Sequence, residues 1–405
     1  MLNYSALIEQ YGSPLYKYDL DEIEEAHEKL SESLPRDSIV YYSLKANPHP
    51  EIVRYLFKKG CFMEICSRNE LDIALSVSVE PDKIFYTGPG KSKEEIYFAI
   101  SKGVKHFSIE SYNDFQKIST ISRMLTKKVN VTFRINPATC VGDASIKMTG
   151  TASQFGFDEE SFDLPKLDNE FLKFYGFHIY NGSNFSNITT FKDNIVSIVK
   201  TVLNLKKKLN QNIDFINFGG GFAAPFGKKE QLVDYSTVKK EIEQLIQKEF
   251  KDDKPLIAFE SGRYLTAHSG TLIGKVEDLK ISKGKKYCIL DFGINHLGGM
   301  SGLRRIPTIE IDIQRYNNKK NDEHLEEVNI VGPLCSPLDY LAKNVKIPKL
   351  SIGDIVCVPS VGAYGLSASL IAFLSRDIPR EVIVSKNTII HVSNLKIVRE
   401  CLYEF

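Results

Sequence analysis

Short runs of β-branched and aromatic residues alternate with longer amphipathic stretches from residue 39 to about residue 260. The short runs are typical of buried strands, and the apolar residues of the longer stretches recur every three or four positions, as in helices that pack on a sheet. Strands and helices in alternation are typical of parallel βα units. We therefore predict eight strands, at Ile39–Leu44, Cys61–Cys66, Lys83–Tyr86, His106–Ile109, Val129–Ile135, Phe174–Tyr180, Phe215–Phe218 and Leu256–Phe259.

Eight units in this order predict an α/β fold with a closed (β/α)8 TIM barrel, in which the C-terminal ends of the strands face one pocket. After Glu260 the β-prone runs are separated by short turns, which predicts an antiparallel sheet or a small β-barrel. We therefore predict a barrel domain at residues 20–261 and a C-terminal β-domain at residues 262–405, which residues 1–19 join. The later runs are Gly270–Val276, Tyr287–Leu290, Pro307–Ile313, Val328–Val331, Ile355–Pro359 and Thr388–Val392.

The amino-acid composition indicates the broad class of protein. The chain has 405 residues, of which 42% are hydrophobic and 25% charged, and its formal net charge is +1. This balance is typical of a globular protein and does not favour a nucleic-acid surface. The N-terminus lacks the pattern of a signal peptide, and no apolar stretch is long enough to span a bilayer. Seven cysteines without metal-ligand spacing favour reduced thiols, so we expect a cytoplasmic protein without a metal site.

Lys45 is the first candidate for chemistry. It follows the predicted strand Ile39–Leu44, and Asn47-Pro48 separates it from the helical pattern that begins at Pro50. A lysine at the C-terminal end of a barrel strand lies over a packed, water-poor floor, where it can lose its proton and attack a carbonyl to form a Schiff base. The alternative reading, from position alone, is a solvated surface lysine.

The other strand ends carry groups that would complete a cofactor site. Three consecutive glycines allow positive φ and leave N–H groups uncovered, which suits a phosphate, although such a turn alone fits a plain loop equally well. TIM barrels often bind phosphate beside their last two strands. Together, a Schiff-base lysine, a phosphate cradle and an acid for a pyridine nitrogen predict pyridoxal 5'-phosphate as the cofactor. The strand-end groups are Glu64, Arg134, Ser183, Gly219, Gly220, Gly221, Glu260, Gly262 and Arg263.

Several sequence blocks lie in order over nearly the whole chain. They are Tyr42-Ser43-Leu44-Lys45-Ala46-Asn47, Arg134-Ile135-Asn136-Pro137, Gln154-Phe155-Gly156, Gly219-Gly220-Gly221, Glu260-Ser261-Gly262-Arg263, Gly332-Pro333-Leu334-Cys335 and Gly362-Ala363-Tyr364. With these blocks the chain resembles the fold-type III pyridoxal-phosphate decarboxylases, the group of diaminopimelate, ornithine and arginine decarboxylases. The blocks at 260–265, 332–337 and 362–367 most resemble the branch that decarboxylates L-glutamate held as a thioester on an acyl carrier protein, in butirosin antibiotic biosynthesis. The resemblance implies an alanine-racemase-like barrel followed by a β-sandwich or β-barrel domain.

The resemblance also implies roles for individual residues. Lys45 would bind the cofactor covalently, Glu260 would pair with its ring nitrogen, and Glu64 and Arg134 would line the ring edge. Cys335 would reach from the second domain of a partner subunit and protonate the decarboxylated carbon, so that a homodimer shares its active sites; the alternative for this cysteine is a buried hydrophobe. Gly262 belongs to the cofactor-binding set, and the phosphate would be held by Ser183, Gly219, Gly220, Gly221, Arg263 and Tyr364.

Departures from the family concern the substrate. A histidine stacks on the cofactor ring in the diaminopimelate and ornithine enzymes, whereas this chain has Tyr180, which we expect to stack; His178 would be an interior histidine one layer deeper. An acid after the cysteine meets the substrate's distal ammonium in those enzymes, but here the residue is Ser336. This change disfavours diaminopimelate, ornithine and arginine. Candidate substrate contacts are Ser336, Asp339 and Arg304, with surface solvation as the alternative for Arg304.

We therefore predict a carbon–carbon lyase that decarboxylates an L-amino acid or its derivative at the α-carbon, in a specialised pathway such as antibiotic biosynthesis, for example on carrier-linked L-glutamate. A diaminopimelate decarboxylase of lysine biosynthesis is the alternative. A racemase would need a second base, usually a tyrosine, opposite the lysine, and a non-catalytic pyridoxal-phosphate carrier would leave the second domain unexplained. The expected partners are a second copy of the chain and an acyl carrier protein, with no nucleic acid and no membrane.

Overall fold

The structure is a computed structural model that describes residues 2–138, 146–147, 152–251, 253–298, 311–316 and 325–399. Its α-helices in these residues are α1 (Tyr4–Tyr11), α2 (Leu20–Ser33), α3 (Pro50–Lys58), α4 (Arg68–Ser76), α5 (Lys93–Ser101), α6 (Tyr112–Leu125), α7 (Ile188–Leu209), α8 (Ser236–Phe250) and α9 (Arg263–Thr266). None of the helices in this part of the chain combines the length and the apolar character needed to cross a membrane.

The β-strands follow in chain order from the N-terminus, and a 3₁₀ turn at Leu44–Ala46 comes directly after the second of them. The strands are β1 (Leu15–Asp19), β2 (Ile39–Ser43), β3 (Phe62–Ile65), β4 (Ile84–Tyr86), β5 (His106–Ile109), β6 (Val129–Asn136), β7 (Ile146–Lys147), β8 (Phe157–Asp158), β9 (Leu172–Ile179), β10 (Gly182–Ser183), β11 (Phe215–Asn217), β12 (Leu256–Ser261), β13 (Gly270–Ser282), β14 (Lys285–Leu290), β15 (Gln314–Arg315), β16 (Leu325–Val331), β17 (Tyr340–Pro348), β18 (Ile355–Val358), β19 (Arg380–Ser385) and β20 (Thr388–Asn394).

Eight parallel strands close into a barrel, which confirms the predicted (β/α)8 architecture. Their order around the barrel is β2, β3, β4, β5, β6, β9, β11 and β12, and β12 pairs with β2 to close the circle. The register places Ser43 beside Glu64 and Tyr41 beside Glu260. Because all eight strands run in one direction, their C-terminal ends form a single mouth.

Serine residues cap the N-termini of three barrel helices. Ser67, Ser92 and Ser111 each accept the backbone N–H of the third helical residue, at 3.1–3.2 Å, at the starts of α4, α5 and α6. Glu95 closes a capping box by accepting the Ser92 backbone N–H at 2.9 Å. These caps keep the strand-to-helix connections short, so the mouth is held by ordered turns.

Aromatic side chains form the floor of the barrel. Tyr41, Phe85, Phe215 and Ala258 make one buried cluster. The ring centroids of Tyr41 and Phe85 are 5.4 Å apart, and those of Phe85 and Phe215 are 6.2 Å apart. Rings packed in this way exclude water beneath the mouth and lower the local dielectric.

The chain divides into two compact units, a barrel unit of residues 25–224 and 232–265 and a β-unit of residues 1–24, 225–231 and 266–405. In the β-unit the sheet order is β17-β16-β14-β13-β1-β19-β20, and β18 pairs with β13 and β15. The N-terminal strand β1 lies between β13 and β19, antiparallel to the first and parallel to the second. The buried apolar cluster of this unit consists of Leu7, Ile8, Leu15, Ile273, Cys357, Val382 and Val384.

The segment 225–231 belongs to the β-unit, although the sequence prediction placed it in the barrel. The Gly227 N–H donates to the carbonyl of Ser360 at 3.2 Å, and the Gly227 carbonyl accepts the Asp312 N–H at 2.7 Å. The Asp312 carboxylate in turn accepts the Lys229 N–H at 3.0 Å. These bonds join residues far apart in sequence, which explains why local periodicity did not detect them. The predicted strand Pro307–Ile313 lies largely outside the described residues.

Truncating the barrel floor should destabilise the fold. In a Phe215→Ala variant the lost burial and the residual cavity are expected to lower the free energy of unfolding by about 3–5 kcal/mol. Urea unfolding monitored by circular dichroism measures this loss. Tyr97→Ala is the control, because Tyr97 is 45% exposed, and it should change stability by less than about 0.5 kcal/mol. Equal losses in both variants would contradict a tightly packed floor.

Candidate active site

Lys45 lies at the end of β2, in the 3₁₀ turn, and faces Glu64. Its side chain is 44% exposed, and its Nζ lies 3.5 Å from Oε2 of the buried Glu64 carboxylate. The other oxygen of Glu64 accepts hydrogen bonds from the Thr87 hydroxyl and, at 3.1 Å, from the Cys66 thiol. The carboxylate is therefore fixed in place, while the lysine beside it stays accessible to a ligand, as a covalent nucleophile requires.

Glu260 ends β12 as a buried acid inside the barrel. Its Oε1 accepts a hydrogen bond from Asn217 Nδ2 at 2.9 Å, and His178 Nε2 lies 3.2 Å from the same oxygen. Burial favours the neutral acid, but His178, with smaller contributions from Lys45 and Arg134, outweighs burial and lowers the pKa of Glu260. The site thus holds an ionised carboxylate, which could keep a pyridine nitrogen protonated.

The glycine triplet turns tightly around the end of β11. Gly219 and Gly221 have φ of 64° and 104°, and the Gly219 N–H donates to Asn217 Oδ1 at 2.8 Å. A Cβ on Gly220 would lie 2.5 Å from the carbonyl oxygen of Glu260. Glycine is therefore required both for the backbone conformation and for the close approach to β12. Such a turn can present N–H groups to a phosphate.

Several other predicted cofactor residues belong to the same barrel unit. The Tyr180 hydroxyl lies 3.0 Å from Ser183 Oγ, and a Cβ on Gly219 would lie 2.5 Å from the Tyr180 ring, which therefore packs on the glycine turn. Gly262 packs against Ser43 and Ala46, the latter a neighbour of the candidate lysine. The half-buried Arg263 begins α9. The tertiary structure thus brings strand ends distant in sequence into one unit.

Arg134 offers a buried donor with no hydrogen-bond partner among the described residues. Its Nη1 donates to Glu110 at 3.1 Å, and its guanidinium lies 4.5 Å from the centroid of the Phe155 ring. Its Nε is buried and makes no hydrogen bond to the described residues. Because an orphaned buried donor is costly, this N–H fits an acceptor on a bound ligand. With the glycine cradle and the lysine, it makes the residues present compatible with pyridoxal 5'-phosphate.

The β-unit carries the predicted cysteine and its neighbours. Asp339 is buried, and its two oxygens accept the Ile294 N–H at 2.9 Å and the Leu334 N–H at 2.8 Å. This carboxylate therefore orders the turn that precedes Cys335, which is exposed. The Ser336 hydroxyl accepts a backbone N–H two residues later, at 3.2 Å. The turn thus presents a thiol and a hydroxyl on a fixed backbone.

Tyr364 and Arg304 are the remaining predicted residues. Tyr364 of the β-unit is half-buried and has a positive φ of 60°. Arg304, the third candidate substrate contact, lies outside the described residues.

Sequence reasoning did not find the partners that hold the charged groups. Ser108 contacts His178, and Asn217 donates to Glu260. Glu110 accepts a hydrogen bond from Arg134. The available signal was a buried polar residue at the end of an otherwise apolar strand. That signal is weak alone, because buried polar side chains often satisfy only their own backbone.

Comparison with known proteins decides the family. Residues 20–267 match the family described as "Pyridoxal-dependent decarboxylase, pyridoxal binding domain". The chain belongs to the pyridoxal-dependent decarboxylases. It is therefore an enzyme, a carboxy-lyase that uses pyridoxal 5'-phosphate, as the strand-end residues predict. The predicted family is confirmed, and the racemase and the non-catalytic carrier are disfavoured.

Three curated relatives of this decarboxylase cover most of its length. It is 33% identical over 394 residues to the L-glutamyl-[BtrI acyl-carrier protein] decarboxylase of Niallia circulans, covering 94% of this chain and 90% of the relative. It is 31% identical over 395 residues to diaminopimelate decarboxylase of Methanocaldococcus jannaschii, with coverage of 94% and 88%. It is 29% identical over 392 residues to 2-[(L-alanin-3-ylcarbamoyl)methyl]-2-hydroxybutanedioate decarboxylase of Staphylococcus aureus, with coverage of 92% and 94%. These names agree on decarboxylation and differ on the substrate.

Solved structures show the same architecture for the decarboxylase. Diaminopimelate decarboxylase of Methanocaldococcus jannaschii, crystallised with L-lysine, superposes with a TM-score of 0.84 at 29% identity, covering 96% of this chain and 90% of that one. The Helicobacter pylori enzyme with L-lysine gives 0.81 at 26% identity, with coverage of 96% and 95%. The barrel followed by a β-rich unit is therefore the arrangement of this family.

Glu70, on α4 near Lys45, should make stability depend on pH. Its carboxylate accepts the Cys66 N–H at 2.7 Å, but burial raises its pKa to about 7. The unfolded chain loses this proton near pH 4.3, about the reference value. Between these values the folded state binds more protons, so the free energy of unfolding should fall as the pH rises. Glu70→Gln should make this decrease smaller by the part that Glu70 contributes, as measured by urea unfolding from about pH 4.5 to about pH 8.

Asp72→Asn serves as the control, because the Asp72 side chain on the same helix is 50% exposed. This variant should keep the wild-type pH dependence. Parallel curves for wild type and Glu70→Gln would show that Glu70 is not protonated in the folded state at these pH values.

Proposed function

We propose that this decarboxylase acts on an L-amino acid whose side chain is joined to a larger group, such as L-glutamate on an acyl carrier protein. The observation that carries the proposal is Ser336, which stands where an acid would meet a distal ammonium. Its hydroxyl is engaged with the backbone of its own turn. A substrate with a free distal amine would therefore lack a counter-charge at this position.

Asp339 is the next acid along the chain and is poorly suited to replace the missing one. It is buried, and each of its oxygens already accepts a backbone N–H. Turning it toward a substrate would leave two buried amides unpaired, at a cost of about 1–3 kcal/mol each. We therefore assign Asp339 to positioning the Cys335 turn rather than to substrate binding.

The names of two relatives support a joined substrate. One acts on L-glutamyl acyl-carrier protein, and the other on an alanine linked at its third carbon through a carbamoyl group. In both cases the amino-acid side chain is covalently attached, so no distal ammonium needs an acid. Because decarboxylation requires a free α-carboxylate, attachment of glutamate would have to run through its side-chain carboxyl.

The barrel residues would hold the cofactor and control protons. When bound, pyridoxal 5'-phosphate supplies an aldehyde that links to an amine and a ring that accepts the electron pair left by departing carbon dioxide. Lys45 would bind the aldehyde, with Glu64 orienting its Nζ, and Glu260 would hold the proton on the ring nitrogen. Tyr180 would cover the ring, and Arg134 Nε would donate at its edge. Gly262 belongs to the cofactor-binding set, and the phosphate would be held by Ser183, Gly219, Gly220, Gly221, Arg263 and Tyr364.

Cys335 would deliver the final proton to the α-carbon from its Sγ, acting from a partner subunit. Its exposure on an ordered turn supports a role at a surface that a second copy covers. The neighbouring Leu338 is 63% exposed, which also favours a covered surface in the assembled enzyme. This arrangement makes the enzyme a homodimer with shared active sites.

Diaminopimelate is the second candidate substrate. Diaminopimelate decarboxylases recur among the relatives, and one shares 31% identity with this chain, close to the 33% of the carrier-linked enzyme. Identity alone therefore does not separate the two substrates.

A substrate panel should separate the two candidates. We expect carbon dioxide release from glutamate attached through its side chain to an acyl carrier protein, and little release from free diaminopimelate, ornithine, arginine or glutamate. Diaminopimelate, ornithine and arginine carry a distal cation that would lack an acid at position 336, and free glutamate lacks the joined group that the proposed substrate has. Release of labelled carbon dioxide by the cofactor-loaded enzyme measures each rate, with unloaded carrier protein as the blank.

Ser336→Glu is the matched variant for this panel. Restoring the acid should raise the rate on diaminopimelate and lower the rate on the carrier-linked substrate. Rapid release from free diaminopimelate by the wild type would refute the proposed substrate and favour a lysine-pathway enzyme.

Mixed dimers should test the shared site. A dimer that combines one Lys45→Ala chain with one Cys335→Ala chain retains one complete site, so its rate should be about half of the wild-type rate, although each variant alone is inactive or slow. Separate affinity tags allow the mixed dimer to be purified and assayed for carbon dioxide release.

The control combines Lys45→Ala with Glu260→Gln, two changes within the barrel unit. Neither site of that dimer is complete, so it should stay inactive. Inactivity of the first mixed dimer, or a monomer by light scattering, would rule out sharing of Cys335 between subunits.

A further inference from the structure

His178 occupies an interior position from which it acts on Glu260. It lies on β9, one layer below the mouth, with only 1% of its surface exposed. Its Nε2 lies 3.2 Å from Glu260 Oε1, and its Nδ1 lies 3.0 Å from Ser108 Oγ. Each ring nitrogen therefore faces a group on a different strand, β12 on one side and β5 on the other.

The Ser108 hydroxyl holds the Nδ1 side of the His178 ring. The hydrogen bond between Ser108 Oγ and His178 Nδ1 holds the imidazole ring in place, which directs Nε2 toward the Glu260 carboxylate. Ser108 is itself fixed, because its backbone carbonyl accepts the buried Lys91 ammonium at 2.9 Å. Lys91 is paired in turn with Asp114 at 2.8 Å. The orientation of the imidazole is therefore set by a chain of buried contacts.

Two side chains approach the same oxygen of Glu260. Asn217 Nδ2 and His178 Nε2 both approach Oε1, at 2.9 Å and 3.2 Å. Asn217 also accepts the Gly219 N–H, which connects the acid with the glycine turn. The Asn217 hydrogen bond and the close approach of the imidazole thus act on the same oxygen and fix that side of the carboxylate.

Aromatic rings pack against His178, and cationic side chains act on Glu260. The Phe85 ring meets the imidazole edge-on, with centroids 5.6 Å apart, and Tyr41 belongs to the same buried floor. The charged groups that act on Glu260, besides His178, are Lys45 and Arg134. In such a low-dielectric environment the loss of one donor changes the ionisation of a carboxylate strongly.

We propose that His178 is a positioning residue that orients Glu260 and keeps it ionised, and that Ser108 fixes the orientation of the imidazole for this role. The consequence for catalysis rests on the proposed function of Glu260 as partner of the cofactor's ring nitrogen. The part that concerns Glu260 itself depends only on the contacts among His178, Ser108, Asn217 and Glu260.

Infrared spectroscopy of the full chain, with and without cofactor, tests the ionisation of Glu260 directly. The carbonyl stretch of a protonated Glu260 is assigned by subtracting the spectrum of Glu260→Gln. In His178→Leu the apparent pKa of Glu260 should rise by about 1–3 units, because a donor is lost while burial remains. His178→Gln should restore much of the wild-type value, since its amide can still donate to Oε1.

The titration of Glu260 is also measured in a Ser108 variant and in a control variant. Ser108→Ala removes only the hydroxyl and should give a smaller rise, and it decides the question if His178→Leu does not fold. His106→Leu is the control, because His106 lies on the same barrel but faces Asn130 at 3.3 Å. Identical titration of Glu260 in wild type, His178→Leu and Ser108→Ala would overturn the proposal.

The pH dependence of bound-cofactor absorbance separates this inference from the proposed function. If His178 acts through Glu260 on the cofactor, the absorbance of His178→Leu should show a pH transition that wild type and His106→Leu lack. A shifted Glu260 titration with unchanged cofactor absorbance would support control of Glu260 by His178 and reject Glu260 as the partner of the ring nitrogen.

Discussion

An ionised carboxylate is stable inside a protein only when donors surround it, and Glu260 imposes this requirement on the barrel. Two other strands supply its polar neighbours: Asn217 on β11 donates to it, and the His178 imidazole on β9 lies 3.2 Å away. Asn217 also holds the backbone of Gly219, so the acid and the glycine turn share one residue. The closed barrel makes this possible, because it places three strand ends within hydrogen-bonding distance over an aromatic floor.

The same requirement explains the turn of the β-unit. Asp339 is buried and is matched by two backbone N–H groups, so its charge is used to order the backbone before Cys335. Burial still raises the pKa of Asp339, and the two amides partly oppose this rise. Because both oxygens of Asp339 bind backbone amides, this residue stabilises the turn. In the proposed function, the residue at position 336 is therefore the one that distinguishes substrates.

The local pattern of apolar and polar residues predicted most of the architecture. The eight barrel strands follow from short apolar runs, and the change of pattern after Glu260 marks the β-rich segment, because strand and helix periodicities are properties of neighbouring residues. The place of segment 225–231 in the β-unit was not predicted, since its hydrogen bonds to Ser360 and Asp312 join residues more than eighty positions apart. Likewise, the pairing of β1 with β13 and β19 depends on contacts across most of the chain.

The order of residues along the chain was enough to indicate the candidate groups: a lysine after a strand, a glycine triplet, an acid at Glu260 and a serine after Cys335. The folded structure was needed to show which groups act on one another. It placed His178 against Glu260 and Ser108, Glu110 against Arg134, and Asp339 against two backbone amides. The reason is physical, because the ionisation of a buried group depends on distances of a few ångströms between strands that sequence separates by tens of residues.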